Sequence, residues 1–201
     1  MREKIIQKSG ELFLKLGFKS VTMDDIANEL GMSKKTIYQH FENKTKLIET
    51  TTINIFNTIC GGIDCICKTS QNPIEELYEI KMYVMQNLQN EKTSPQFQLK
   101  KYYPKIYQNL QGKQFDKMHK TVQKSLKKGV ETGLFRKNID VDFTSRLYFN
   151  GMAGIKDETI FPSQKFTMDY LMESYLEYHL RAICSEEGLL TLNKFIKTNQ
   201  S

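Results

Sequence analysis

TMDDIANELGMSKKTIYQHFENK, residues Thr22 to Lys44, is the stretch whose reading decides the fold. It parses as two short helices joined by a glycine turn, followed by the start of a third. Thr22 is a good N-cap, and Asp25 stands three residues on, where it can close a capping box. Val21 before the cap and Ile26 at the fourth helical position have the spacing of a hydrophobic staple. Asp24 and Asp25 complement the positive end of the helix dipole. Ile26, Ala27 and Leu30 give the first helix one apolar face, and Gly31 can take the left-handed conformation that a sharp turn needs. Ser33 caps the second helix, Met32 and Ile37 repeat the staple spacing, and Asn43 opens the third. A bihelical unit with a polar, basic second helix fits the major groove of DNA.

Helical geometry selects the side chains that would meet a base. At about 100° per residue, Ile37 and Phe41 fall on one side and pack inward against Ile26, Ala27 and Leu30. Lys35, Gln39 and, at the edge, Thr36 then point into the groove. A Gln can pair bidentately with adenine, a Lys can donate to guanine, and a Thr methyl can touch the methyl of thymine. Lys34, Tyr38 and His40 flank them, suited to phosphate oxygens, and Lys44 in the first turn of the next helix could reach another phosphate. With the caps Thr22 and Ser33, these residues make up the expected DNA-binding set.

The pattern Thr22-Met23-x-x-Ile26-Ala27, then Gly31-Met32-Ser33, then Thr36-Ile37-Tyr38-x-His40-Phe41 and Lys44 resembles the N-terminal domain of TetR-family transcriptional regulators. The resemblance is strong over residues 1 to 50 and continues more weakly towards the C-terminus. It implies an all-α fold, with a three-helix helix-turn-helix DNA-binding domain and a larger helical domain that dimerises and binds an effector. The expected domains are residues 1–48 and 49–201. Two positions depart from the family pattern. Lys35 stands where Gly or Ala is usual, which puts a long cation into the groove and suggests an individual operator preference. Thr45 stands where Glu is usual, which weakens the charged cap of the fourth helix.

Composition agrees. A chain of 201 residues can bury a sizeable core, and 39% hydrophobic with 26% charged residues describes a soluble globular protein. The net charge of +6 favours a polyanionic partner. Residues 1 to 50 hold nine Lys or Arg and seven Asp or Glu, so only +2 lies in the expected reader and +4 is spread over the rest. No apolar run approaches a membrane span, and MREKIIQKSGELF lacks the apolar centre of a signal peptide, so a cytoplasmic location is expected.

Downstream the chain reads as helix after helix, roughly nine or ten in all. Gly17-Phe18 looks like a Schellman stop for the first helix, and a long helix from Asn43 to about Cys67 links the reader to the rest. Asn72-Pro73 caps and opens the next helix, and Pro104 ends or kinks another. Gly112 is expected to separate two helices, and Glu187-Gly188 to break the chain before a short final one. The helix expected over 165–184 is apolar on more than one side, as a helix buried on more than one side must be. The preceding helix has similar breadth, and Gly151 and Gly154 permit close backbone approach. These helices suggest a two-fold four-helix interface in a homodimer, with Leu147, Tyr148, Met152, Leu171, Tyr175, Tyr178 and His179 as candidates. A dimer carrying two reading helices would demand a palindromic operator.

The middle of the chain supplies the expected ligand pocket. Phe56, Met82, Met85, Phe97, Tyr103, Tyr107, Phe115 and Met118 offer aromatic and thioether surface, as Tyr102 does, suited either to an adaptable apolar site or to an ordinary core. A small, lipophilic or amphipathic effector is the expectation. Gly61-Gly62 inside the linking helix costs about 2 kcal/mol of helix propensity, which suggests a bend there.

Other chemistries are weaker. Cys60 and Cys67 share a helix face while Cys65 points elsewhere, and their spacing does not match structural zinc pairs, so no metal is expected. A thiol-based redox sensor using Cys60 and Cys67 is an alternative, as is a DNA-binding scaffold indifferent to ligands. No activated nucleophile, carboxylate pair or phosphate loop is visible, and of the histidines His40, His119 and His179 none sits in a catalytic pattern, so neither an enzyme nor a cofactor is expected.

Overall fold

The computed structural model describes residues 1–88 and 95–199, apart from the side chains of residues 95 and 96. Among the described residues ten α-helices follow one another: α1 Arg2–Leu16, α2 Met23–Glu29, α3 Lys34–Tyr38, α4 Lys44–Thr69, α5 Pro73–Leu88, α6 Pro95–Tyr102, α7 Pro104–Glu131, α8 Val141–Gly154, α9 Met168–Ile183 and α10 Glu186–Asn199. Among the described residues the one extended pairing is an isolated bridge between Phe135 and Cys184. The chain forms two compact units. The first gathers Met1–Gly62 with Gln86–Gln114, and the second gathers Ile63–Met85 with Phe115–Ser201. Helices α4, α5 and α7 therefore each contribute residues to both units.

The first unit is built around Ile5, Phe13, Phe18, Val21, Ile26, Ile37, Phe41, Leu47 and Ile48, closed by Leu99, Ile106 and Leu110 from α6 and α7. The inclusion of α6 was not foreseen. Gln98 explains part of it: its side-chain oxygen accepts from the Lys19 backbone N–H at 3.2 Å, in the loop between α1 and α2. Gly17 in that loop has φ 88° and ψ 153°, a conformation closed to most side chains, and an added Cβ there would collide with the Gln98 amide. The expected Schellman stop is thus absent, because the extended ψ carries the chain away from the left-handed helical turn.

The second unit buries Ile74, Leu77, Tyr78, Val122, Leu126, Phe135, Tyr148, Met152, Leu171, Leu176, Leu180 and Leu192. Asn72 caps as expected, its Oδ1 accepting from the N–H groups of Ile74 and Glu75 at 3.0 Å, and Asp140 caps α8 by accepting from Phe143 N–H at the same distance.

Gly112 and Gly188 behave differently from expectation. Gly112 lies inside an unbroken α7, and α4 likewise runs through Gly61 and Gly62 without interruption, because propensity alone does not stop a helix held by tertiary packing. Gly188 does not break a helix either. It lies in the first turn of α10, where its N–H donates to Ser185 Oγ at 3.1 Å and an added Cβ would strike the Leu134 carbonyl. Close approach of two backbones, rather than helix termination, is what requires glycine there.

His179 sits in this second core between the rings of Tyr148 and Tyr175, with Nε2 buried and unpartnered. Burial pushes its pKa down to about 4, so the native state holds it neutral. A base whose folded pKa lies below its unfolded value contributes stability above about pH 6.5 that is lost as pH falls towards 4. The loss is on the order of 3 kcal/mol. Thermal unfolding of wild type and His179→Gln across this range should converge at acid pH; parallel curves would show that His179 is not the group responsible.

Candidate nucleic-acid interface

The local structure of residues 22–44 follows from its capping residues. Thr22 Oγ1 accepts from Asp25 N–H at 3.1 Å, and Asp25 Oδ2 accepts from Thr22 N–H at 2.7 Å, completing the capping box at the start of α2. These bonds hold the Asp25 carboxyl below its usual pKa. Val21 and Ile26 are both buried, as a staple requires. Gly31 adopts φ 62°, and the Met32 N–H returns to Ala27 O at 3.0 Å, which turns the chain sharply into α3. Ser33 Oγ accepts from Thr36 N–H at 3.1 Å, and Asn43 Oδ1 caps α4 by accepting from Lys46 N–H at 2.8 Å.

Only five residues of α3 are regular helix, but Gln39 keeps right-handed helical angles, and the Gln39 N–H to Lys35 O bond extends the turn. Ile37 and Phe41 are buried, and Lys35, Tyr38, Gln39 and His40 are exposed on the other faces. The arrangement thus presents one long cation and one primary amide side by side, flanked by a phenol and an imidazole. That is a donor and acceptor set matched to base edges and phosphates.

Other residues of the expected set have structural employment. The Thr36 hydroxyl lies 2.8 Å from Ser33 Oγ and is half-buried. Lys34 Nζ pairs with Asp24 at 2.6 Å, joining α3 to α2 across the turn. Its ammonium is stabilised by that bond and its pKa rises, so Lys34 can meet a phosphate only by sharing or leaving Asp24. Lys44 donates to the Lys19 carbonyl at 3.1 Å and is half-buried, and burial lowers its pKa against the opposing pull of Asp25. It ties the start of α4 to the loop before α2, a role its spacing alone did not reveal.

The sequence reading missed Lys19 and Gln98, and assigned Tyr102 to the pocket surface; the three meet around that loop. Lys19 Nζ lies 4.8 Å from the centre of the Tyr102 ring. A separation of 79 residues between Lys19 and Gln98 leaves no local signal by which their contact could have been found.

The expected dimer candidates divide by burial. Tyr148, Met152, Leu171 and His179 belong to the core of their own unit, so they have little surface to offer a partner. Tyr175 is half-buried, its pKa is pushed up to about 12 by burial, and its hydroxyl donates to the Leu147 and Tyr148 carbonyls at 3.2 Å. Gly151 is small to admit this ring, since a Cβ there would collide with it. Leu147 remains 51% exposed and Tyr178 72%, and Phe143 on α8 and Tyr170 on α9 are also exposed.

The pocket candidates also divide. Phe56, Phe97, Tyr103 and Tyr107 lie in the first unit, and Met82, Met85, Phe115 and Met118 in the second. Met82 and Phe97 are exposed. Phe56, Tyr103 and Tyr107 pack against the first core, and Met85 and Met118 against the second. Phe115 stacks on His119 and meets Phe149 edge-on. His119 is held by Asp142 at 2.9 Å, which also accepts from Arg146. Cys67 is half-buried and its thiol is pushed up by desolvation, Cys184 is pushed up to about 11, and neither is poised as a thiolate. No cluster of potential metal ligands occurs among the described residues, and no helix there is long and apolar enough to cross a membrane.

With this geometry in view, residues 5–51 match the profile described as bacterial regulatory proteins, tetR family. The repressor KstR2 of Mycolicibacterium smegmatis is 23% identical over 93% of this chain and 92% of its own length. The negative transcriptional regulator IcaR of the biofilm operon icaADBC, from Staphylococcus epidermidis, is 33% identical over 28% of this chain and 31% of its own. Among solved structures, a TetR-family regulator from Agrobacterium tumefaciens superposes with TM-score 0.72 at 15% identity, covering 92% of this chain and 97% of that one. The structure of KstR2 of Mycobacterium tuberculosis gives 0.57 at 19% identity over 92% and 95%. These relatives are transcriptional regulators, not enzymes.

The placement of Lys35 and Gln39 makes a specific expectation. Lys35→Ala and Gln39→Ala should each lose about 1–3 kcal/mol of discrimination at one base pair, read by competition between single-base variants of a bound duplex. Uniform weakening across all variants would mark these two as phosphate contacts instead.

Proposed function

We propose that this chain is a TetR-family repressor that binds a palindromic operator as a homodimer and leaves it when a small lipophilic or amphipathic ligand is bound; likeness to that family over residues 5–51 and to its members beyond supports the reading. The observation that carries the reading is the outward face of α3, with Lys35 and Gln39 exposed directly opposite buried Ile37 and Phe41. The repressing sign rests on likeness to KstR2 and IcaR, both named as repressors or negative regulators.

Dimerisation is supported by an apolar surface on the second unit. Phe143 and Leu147 lie one turn apart on α8, and Tyr170 and Tyr178 lie two turns apart on α9, all exposed. Four large apolar or aromatic side chains displayed by two packed helices are more than scattered surface residues, and a two-fold axis would let each copy cover the other's. Two reading helices related by that axis would contact half-sites about one helical turn apart.

The effector reading rests on the thioether and aromatic groups of the second unit, Met85, Met118 and Phe115, which are partly buried and able to repack. The KstR2 structure is described as that of a ketosteroid transcriptional regulator, and likeness to KstR2 runs through most of both chains. That supports a largely apolar, polycyclic or long-chain ligand. Such a ligand releases DNA through its different affinity for the two dimer states.

Selection of duplexes from a random library tests this reading. Wild type should recover an inverted repeat, and a variant carrying Leu147→Glu with Tyr178→Glu should sediment as a monomer and recover a single half-site at most. Recovery of an asymmetric motif by wild type, or an unaltered dimer in the variant, would contradict the proposed assembly.

A further inference from the structure

The charge of this protein is distributed by unit, not spread along the chain as its sequence suggested. Within the first unit, residues 1–62 hold nine Lys or Arg and seven Asp or Glu, and residues 86–114 add five Lys and one Glu. That unit therefore has a net charge of +6, equal to the charge of the whole protein, and the second unit is neutral. The excess enters with α6 and the start of α7. Between Pro95 and Gln114 stand Lys100, Lys101, Lys105 and Lys113, with no Asp or Glu among them. All four lysines are exposed.

This basic segment is joined to the DNA-reading helices by specific contacts within the same unit. Lys44 holds the Lys19 carbonyl, Gln98 holds the Lys19 N–H, and Lys19 and Lys101 both approach the Tyr102 ring, at 4.8 and 5.4 Å from its centre. Two ammonium groups gathered at one aromatic ring, with no carboxylate in the segment, form an arrangement that mutual repulsion opposes and a polyanion would relieve.

We infer that α6 and the start of α7 form a second DNA-binding surface, in which Lys100, Lys101 and Lys105, continuous with Lys19, contact phosphates of the duplex outside the bases read by α3. The inference rests on the DNA-binding reading above. It concerns affinity and salt dependence, not sequence choice, because phosphates carry no base identity. Each phosphate neutralised releases counterions and steepens the dependence of binding on salt.

The test compares wild type, the triple variant Lys100→Gln, Lys101→Gln, Lys105→Gln, and a charge-matched variant of the second unit, Lys120→Gln, Lys127→Gln, Lys194→Gln. Binding is measured across salt concentrations on two duplexes, one trimmed to the selected motif and one extended by about a helical turn on either side. On the extended duplex the first variant should lose about 0.9 of salt slope for each contact removed, with weaker binding at every salt. On the trimmed duplex it should match wild type, and the charge-matched variant should match wild type on both. On the extended duplex, equal slopes for the two variants, or a first variant identical to wild type, would overturn the inference. The motif separates this failure from that of the parent reading. If Lys35→Ala relaxes the motif while the flanks prove irrelevant, only the second surface is lost; if no motif is selected at all, both readings fall.

Discussion

The burial of Ile37 and Phe41 is the constraint on which this structure and its chemistry depend. A helix as short as α3 has little stability of its own, since nucleation alone outweighs the few bonds it makes. Its position is fixed by what its apolar side must cover, the Ile26 and Ala27 face of α2 and the surrounding core of the first unit. Once that side is committed inward, Lys35 and Gln39 have no direction left but outward. The capping box at Thr22, the left-handed Gly31 and the Ser33 cap then fix the angle between α2 and α3. Chemistry that would be unremarkable on a floppy segment can serve recognition when it is held on a rigid one.

Rigidity extends beyond the three N-terminal helices. Lys44 and Gln98 hold the Lys19 peptide from both of its polar groups, so the loop before α2 is tied to α4 on one side and to α6 on the other. A lysine used in this way is partly withdrawn from water, and its lowered pKa records that cost. The compact unit that contains the helix-turn-helix therefore holds more than three helices and includes a basic segment that lies far away in sequence. The boundary between the two compact units passes through α4 at Gly62, through α5 at Met85 and through α7 at Gln114. Three helices, α4, α5 and α7, thus run from one unit into the other.

What could be read directly from the chain, and what could not, divides along physical lines. Caps, staples and turn glycines act over a few residues, so Thr22, Asp25, Gly31, Ser33, Asn43 and Asn72 announce themselves, and the helical fold with them. Glycine inside a helix is ambiguous, because the same residue ends one helix at Gly31, passes unnoticed in α7 at Gly112 and makes room for a backbone at Gly188. Apolar breadth is ambiguous too. The α8 and α9 stripes mix true core residues such as Tyr148 and Leu171 with exposed ones such as Leu147 and Tyr178, and only the packed structure separates them. The contacts of Gln98 and Lys44 with Lys19 join distant segments and leave no periodicity, so sequence could assign Lys44 to phosphate while missing its carbonyl partner.

A crystal structure of the protein on its selected operator tests the central claim most directly. Lys35 and Gln39 should each place a side-chain nitrogen or oxygen about 3 Å from a base edge in the major groove, with Ile37 and Phe41 still buried beneath them. A complex in which α3 faces solvent while another surface holds the duplex would contradict it.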